Sequence, residues 1–147
     1  SWFGDCNNVL QSWIEASVLL NFELNIACPE GINPDEKTIS WALERNNNIS
    51  ITHNPQEAAE GANCIITDTW RSMGDKSPFP ENQFIPFQVN KNIMKLADKN
   101  AIFMHCLPAY RNKEVSSDVL EGSQSVVFDE AENRLHAQKA IMHFCVK

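Results

Sequence analysis

Residues 23–67 read ELNIACPEGINPDEKTISWALERNNNISITHNPQEAAEGANCIIT, and this segment decides the fold. Asn33-Pro34-Asp35-Glu36 and Asn54-Pro55-Gln56-Glu57 each predict a helix start, with Asn as cap, Pro at the first helical position and Glu at the third. Short apolar or β-branched runs around these helices predict strands at 23–27, 49–52 and 63–67. Strands that alternate with helices pair in parallel, because a parallel neighbour needs a long crossover.

The same alternation continues on both sides of this segment. Further helices are predicted at 8–21, from Asn90 through Ala97, and from Asp129 to the end, where Asp129 and Glu132 have capping-box spacing. The first is so apolar that we expect it to pack on two sides. Further strands are predicted at 1–3, 101–104 and 125–128. The pattern predicts an α/β fold, a doubly wound, Rossmann-like parallel sheet with helices on both faces.

Composition limits the function classes. The 147 residues carry 12 Lys and Arg against 19 Asp and Glu, a net charge of −7, which disfavours binding to nucleic acid. No apolar run approaches the roughly 18 to 20 residues that span a membrane. The five cysteines form no CxxC pair, so neither a zinc site nor a disulfide framework is predicted, and reduced thiols in a cytoplasmic setting fit best. The first residue is Ser1 rather than Met, so we expect the chain to have been cut from something longer.

Polar groups follow several predicted strands, at 4–8, 68–74, 105–108 and 129–134. The carboxyl ends of parallel strands share one edge of a sheet, so we expect these groups to converge there. Asn7 and Asn8 are either helix caps or ligands, and Asp68 is either a turn residue or functional, since it opens a long loop. The first turn lacks GxGxxG, so no nucleotide cofactor is predicted.

Cys106 and Arg134 carry the more pointed chemistry. A thiol just past a strand end lies near helix N-termini, which would lower its pKa; the alternative is a buried, inert cysteine. His105 is expected on the opposite face of the strand and so is a poor base for Cys106. Arg134 is predicted in the first turn of the last helix, where a cation asks for an anionic partner; the alternative is a salt bridge to Asp129 or Glu130.

Taken in order, these motifs resemble the ornithine carbamoyltransferases of the aspartate/ornithine carbamoyltransferase superfamily, over nearly all of the chain. The matching stretches are Gly4-Asp5-Cys6-Asn7-Asn8-Val9, Asp68-x-x-x-Ser72-Met73-Gly74, His105-Cys106-Leu107-Pro108 and Phe128-Asp129-Glu130-Ala131-Glu132-Asn133-Arg134. The resemblance implies transfer of the carbamoyl group of carbamoyl phosphate to the δ-amine of L-ornithine, giving L-citrulline and phosphate in arginine biosynthesis. It implies neither a metal nor an organic cofactor.

The resemblance also implies a missing half. The family's Ser-x-Arg-Thr and His-Pro-x-Gln motifs for carbamoyl phosphate do not occur, so residues 1–147 are expected to be the second, ornithine-binding domain without the N-terminal domain. The implied full-length protein is a homotrimer in the cytoplasm, or in the mitochondrial matrix if of animal origin. The isolated fragment is expected to be monomeric or weakly associating, with weak ornithine binding and little activity. Cys6 departs from the family, which often has Gly there.

Residue by residue, the resemblance implies two groups of ligands. Those for ornithine are Asn8, Asp68, Ser72 and, through its backbone, Met73; those for carbamoyl phosphate are Cys106, Leu107 and Arg134. We hypothesise that a Cys106 thiolate, tuned by Asp68, helps the δ-amine to reach its neutral form, and that the loop after Asp68 closes over ornithine. The alternatives are a transcarbamoylase for another amine, such as putrescine or a modified ornithine, and a non-catalytic binding module.

Overall fold

A five-stranded, all-parallel sheet forms the centre of the computed structural model, which describes residues 1–45, 48–71 and 79–146. The strands are β1 (Trp2–Phe3), β2 (Leu24–Ala27), β3 (Ile49–Thr52), β4 (Cys64–Thr67) and β5 (Ile102–Met104), in the order β3-β2-β1-β4-β5. The order reverses at β1, since β2 and β3 lie on one side of it and β4 and β5 on the other. The predicted α/β class and five of the six predicted strands are confirmed.

Helices cover both faces of this sheet, as predicted. They are α1 (Asn8–Leu20), α2 (Glu36–Leu43), α3 (Pro55–Ala59), α4 (Lys91–Leu96), α5 (Ser117–Leu120) and α6 (Val127–Cys145), with a 3₁₀ helix at Glu81–Phe87. On one face, Trp2 and Ile26 pack with Leu10 and Ile14 of α1. Residues of α3, α4 and α5 pack on the other face, against Phe3 and neighbouring strand residues. Successive strand residues therefore point their side chains alternately into two cores, one on each face of the sheet.

Local capping sets where the helices begin. Asn7 caps α1, because its side-chain oxygen accepts from the amides of Val9 at 2.9 Å and Leu10 at 3.2 Å. The predicted start of α3 at Asn54-Pro55 is confirmed. The predicted cap of α2 at Asn33 is wrong, since Asp35 accepts from the Thr38 amide at 2.9 Å and the helix starts two residues later. Asp is as good a cap as Asn, and here the position nearer the helix is used.

The prediction that α1 packs on two sides is confirmed for the sheet and for α2, but the end of the helix is exposed. Leu10 and Ile14 are buried against the sheet, but Leu19 and Leu20 are 78% and 73% exposed. α1 lies on one sheet face, with α2 beside it, and its outer side is uncovered by the described residues.

The last segment also differs from its prediction. Residues 125–128 do not form a strand: only Ser125 bridges to Phe103, and α6 begins at Val127. The expected capping box does not form, because Val126 is the cap position and makes no side-chain cap bond. The chain passes from this single bridge directly into α6, so Asp129 already lies in the first turn of the helix.

α6 leaves the rest of the domain soon after it begins. Every residue from 131 to 146 is exposed, including Leu135, Ile141 and Phe144. Among the described helices, none combines the length and apolar character needed to cross a membrane.

Candidate functional site

The polar groups predicted to converge do meet at the carboxyl ends of β1, β4 and β5. In an open α/β sheet, the crevice beside the strand where the order reverses is the usual place for a ligand. Asn7 follows β1 and Asp68 follows β4, and the Asn7 Nδ2 donates to Asp68 Oδ2 at 2.8 Å. The interpretation of Asn7 as a helix cap is confirmed, because its oxygen caps α1; its amide nitrogen holds Asp68, and a role in ligand binding stays a prediction.

Asp68 is the centre of this edge. Besides Asn7, its carboxylate accepts from the Thr69 amide at 2.8 Å and from the Cys106 Sγ at 3.4 Å, both through Oδ1. These contacts join the ends of three strands, because Cys106 lies just beyond β5. Donors from three directions fix the orientation of the Asp68 side chain.

The Cys106 thiol is in a different state from the one predicted. Its partial burial, followed by the charge and hydrogen bond of Asp68 and the charge of Glu130, raises its pKa to about 12. The expected lowering is therefore wrong, and so is the thiolate hypothesis. Two nearby carboxylates disfavour a third negative charge more strongly than helix N-termini favour it. Cys106 is a neutral thiol that donates to Asp68.

His105 is fully buried beneath this edge and its ring is engaged on both sides. Its Nδ1 accepts from the Leu107 amide at 3.0 Å, so the ring proton is on Nε2, which donates to Glu114 Oε1 at 3.3 Å. His105 lies beyond the end of β5, so strand alternation is not what separates it from Cys106. Both ring nitrogens have protein partners, which leaves no free base for the thiol.

The sequence did not predict two carboxylates of this site, the half-buried Glu130 and the buried Glu114. Glu130, in the first turn of α6, accepts from the His105 amide at 3.0 Å, and burial raises the pKa of its carboxyl. Glu114 is fully buried and also accepts from the Tyr110 amide at 2.5 Å. Glu130 lay within a quoted motif, whereas nothing in the sequence around Glu114 signals that it is buried.

Leu107 is held in an uncommon conformation. Its φ of +54° is in the left-handed region, and its amide bonds to His105. Such a conformation is costly for a side-chain-bearing residue and persists only where its surroundings fix it. The turn that carries Cys106 and Leu107 is thus built rigidly by His105, Glu114 and Glu130.

The remaining predicted ligands are less well placed or lie outside the described residues. Ser72 and Met73 belong to the part of the chain that is not described. Asn8 is the exposed first residue of α1. Arg134 is exposed and about two turns into α6, so its predicted first-turn position, and with it the argument from the helix dipole, is wrong. The salt bridges of the described residues do not include one from Arg134 to Asp129 or Glu130.

One group of side chains has the spacing of a metal site. Ligand atoms of Asp68, His105 and Cys106 lie within 4.8 Å of one another. However, both His105 nitrogens are bonded to protein groups, and the thiol is protonated, whereas a metal requires a free imidazole nitrogen and a thiolate. This arrangement does not favour a metal, and metal-free operation stays a prediction.

Comparison with known proteins covers the whole of this architecture. The family profile "Aspartate/ornithine carbamoyltransferase, Asp/Orn binding domain" matches residues 1–145. The chain is 53% identical to the ornithine carbamoyltransferase of Brucella abortus over 100% of its own length and 47% of that protein. For Rhodopseudomonas palustris the identity is 51%, over 99% of this chain and 47% of the relative.

Solved structures agree. The ornithine carbamoyltransferase of Pyrococcus furiosus matches with a TM-score of 0.89 and 45% identity, over 96% of this chain and 47% of that one. The anabolic enzyme of Campylobacter jejuni matches with a TM-score of 0.91 and 36% identity, over 97% and 49%. The chain spans about half the length of the relatives it matches. It belongs to the aspartate/ornithine carbamoyltransferase family and matches that family's Asp/Orn binding domain.

Proposed function

We propose that this chain is the ornithine-binding half of an ornithine carbamoyltransferase. The observation that carries the proposal is the hydrogen-bonded set of Asn7, Asp68 and Cys106, which joins the ends of three strands at the crevice of the sheet. An amide, a carboxylate and a neutral thiol at one edge suit a substrate with an ammonium group, a carboxylate and a second amine. Family membership supports the same substrate class.

The amino-acid end of ornithine would bind between α1 and the loop after β4. In this proposal Asn8 and the Met73 backbone hold the α-carboxylate, while Asp68 and the Ser72 hydroxyl accept from the α-ammonium. The Asp68 carboxylate is oriented for this role by Asn7 and Thr69. A carboxylate that is already oriented loses less entropy when it binds its ligand.

The reacting end would lie at the turn that carries Cys106 and Leu107. The neutral δ-amine attacks the carbonyl carbon of carbamoyl phosphate, the bond from that carbon to the phosphate oxygen breaks, and the departing phosphate takes up the proton that the amine loses. The Leu107 carbonyl accepts from the carbamoyl amide. Because the Cys106 thiol is neutral, we assign it to orienting the amine through its sulfur lone pairs, and not to removing the proton.

The other half of the site would come from the N-terminal domain. Two observations support this: the chain spans 47% of its Brucella relative, and α6 presents Leu135, Ile141 and Phe144 to solvent. Exposed apolar side chains on an isolated helix are typical of a surface that another part of the protein covers. Arg134, on the same exposed stretch, would reach carbamoyl phosphate only in the assembled protein.

We extend the proposal to the intact protein. It would be a homotrimer that acts in arginine biosynthesis in the cytoplasm, or in the mitochondrial matrix if of animal origin. Neither a metal nor an organic cofactor is proposed.

Calorimetry with L-ornithine tests the proposal. Asp68→Asn should weaken ornithine binding by the intact protein about tenfold or more, because a hydrogen bond to a charged group is lost. Asp129→Asn, an exposed carboxylate on α6, is the matched control and should bind like the parent protein. Equal affinities of the two variants would contradict the role of Asp68.

A citrulline assay tests the reaction and the choice of amine. The intact protein should form citrulline from ornithine, and the isolated chain should form little or none. Excess putrescine or N-acetyl-L-ornithine should not compete. Inhibition by either amine would move the proposal to that substrate, and ornithine binding without turnover by the intact protein would favour a non-catalytic module.

A further inference from the structure

One carboxylate at the carboxyl edge of the sheet combines a fixed position with an available oxygen. Glu130 lies in the first turn of α6, where the chain is held to β5 by the Val126 amide, which donates to the Phe103 carbonyl at 3.0 Å. Its Oε2 accepts from the His105 amide at 3.0 Å, and no hydrogen bond within the described part of the chain involves its Oε1. The carboxylate is thus held one residue away from Cys106.

The proposed reaction requires an acceptor for a proton. The terminal amine of ornithine resembles that of lysine, with a pKa of about 10.4, so at neutral pH it is an ammonium without a lone pair for attack. The Cys106 thiol is itself protonated, because its pKa is raised to about 12. It therefore does not take up the proton of the ammonium.

The other titratable groups beside Cys106 are already engaged, among the residues that the structure describes. His105 has partners on both ring nitrogens, and Glu114 is fully buried behind that ring. Both oxygens of Asp68 accept from protein donors, and in the proposed function this carboxylate holds the α-ammonium. Glu130 is the carboxylate that is held at this edge and still has an oxygen without a partner among the described residues.

We propose that the Glu130 carboxylate accepts the proton that the δ-ammonium of ornithine loses before the amine attacks. This inference rests on the proposed function, because it requires ornithine at this edge. Ligand atoms of Asp68, His105 and Cys106 lie within 4.8 Å of one another. Since the His105 amide is bonded to Glu130, the carboxylate adjoins the same compact group of side chains.

The electrostatic surroundings suit a carboxylate that gains and loses a proton. Burial raises the pKa of the Glu130 carboxyl, and the charge of Asp68 adds to this effect, against the hydrogen bond from the His105 amide. A higher pKa makes a carboxylate a stronger base and brings it closer to that of an amine. The charge of Glu130 also contributes to the raised pKa of the Cys106 thiol, beside which the amine is proposed to lie.

The protons balance over the whole reaction. The ammonium gives one proton to Glu130, and the electron pair of the broken N–H bond becomes the lone pair of the neutral amine. That lone pair forms the bond to the carbonyl carbon, the bond from carbon to the phosphate oxygen breaks, and the departing phosphate takes up the second proton. The Glu130 carboxyl then releases its proton to solvent and is a carboxylate again.

The ornithine analogue L-canaline separates proton transfer from structure. An oxygen replaces its δ-methylene, and the resulting aminooxy group is uncharged at neutral pH, so it attacks without first losing a proton. In the intact protein, Glu130→Gln should lower phosphate release with ornithine about hundredfold and change that with canaline by no more than about twofold, since general bases typically contribute 10²–10⁴-fold. Asp129→Asn, which removes the neighbouring exposed charge, is the matched control and should behave like the parent protein with both substrates.

The pH dependence of the same variant gives a second readout. The δ-amine becomes neutral in solution near its pKa of about 10.4, so the deficit of Glu130→Gln in kcat/KM for ornithine should shrink as the pH rises from about 7 to about 10. The Cys106 thiol stays neutral over this range, because its pKa is about 12. The titratable and charged groups that act on Glu130 or lie one turn from it are His105, Asp68, Cys106, Cys64 and Arg134.

The outcomes separate this inference from the proposed function. Equal losses with ornithine and canaline, a deficit that does not change with pH, or an unchanged rate with ornithine would overturn the role of Glu130. No ornithine-dependent phosphate release by the parent protein would instead contradict the proposed function. Should Glu130→Gln fail to fold, Glu130→Asp, which withdraws the carboxylate by one methylene, gives the same test, with a smaller loss that is confined to ornithine.

Discussion

The two longest described helices, α1 and α6, both begin near the carboxyl edge of the sheet. However, α1 packs on the sheet, whereas most of α6 is exposed. α1 is capped by Asn7 and buries Leu10 and Ile14 on the sheet. α6 has no side-chain cap, and every residue from 131 to 146 is exposed, including several large apolar ones. Apolar content alone therefore does not decide whether a helix packs. What decides it is whether the helix runs back along the sheet or away from it.

The largest expected effect concerns the edge at which both helices begin. With its pKa raised to about 12 from an ordinary value of 9.0, the Cys106 thiolate is about a thousandfold scarcer at neutral pH than in an ordinary thiol. Alkylation of Cys106 by iodoacetamide should keep accelerating up to about pH 12. Asp68→Asn should shift this profile to lower pH, because it removes the negative charge that favours the neutral thiol.

Cys145 on α6 is the internal control for that measurement. It is exposed and far along the helix, so its alkylation profile should be the same in the parent protein and in Asp68→Asn. An unchanged Cys106 profile in the variant would mean that Asp68 does not set the state of the thiol.

The next largest effect separates the packed helix from the exposed one. Leu10→Ala should lower the free energy of unfolding by about 3 kcal/mol, because a fully buried leucine leaves a cavity. Leu135→Ala, at 59% exposure, should change it by no more than about 0.5 kcal/mol in the isolated chain. Urea denaturation measures both. Equal losses would show that α6 packs on the domain.

A smaller effect tests the helix caps. Asn7→Ala should cost about 1 kcal/mol of stability, since the amides of Val9 and Leu10 lose their acceptor. Asp129→Ala removes the residue that the sequence suggested as a cap for α6 and should cost no more than about 0.5 kcal/mol, from the helix dipole alone. A larger loss of stability for Asp129→Ala in denaturant titrations would show that Asp129 does cap α6.

Much of the fold could be predicted because its signals are local. Asn54-Pro55 predicted the start of α3, and short β-branched runs predicted β2, β3 and β4. Errors arose where several caps or pairings compete. Asp35, and not the predicted Asn33, caps α2. Before α6, the chain forms a single bridge at Ser125 and not the predicted strand. In both cases the local sequence offers neighbouring residues of similar propensity, and short-range spacing alone does not rank them.

The sequence predicted which residues meet at the candidate site better than it predicted their protonation states. Parallel strands present their carboxyl ends together, so the meeting of Asp68 and Cys106 followed from their positions after β4 and β5. The direction of the Cys106 pKa could not follow, because it depends on how deeply the thiol lies and on Glu130, a residue far away in sequence. Glu114 was missed for the same reason, since its burial is a property of the packed chain.

By itself, the sequence determined the α/β class, the alternation of strands and helices, and the motifs that relate the chain to carbamoyltransferases, because these depend on residue order and short-range spacing. The tertiary structure alone decided that the Cys106 thiol is neutral, that His105 is locked between Leu107 and Glu114, and that α6 leaves the domain exposed. Burial and charge proximity set these properties, and both arise only when distant segments pack together.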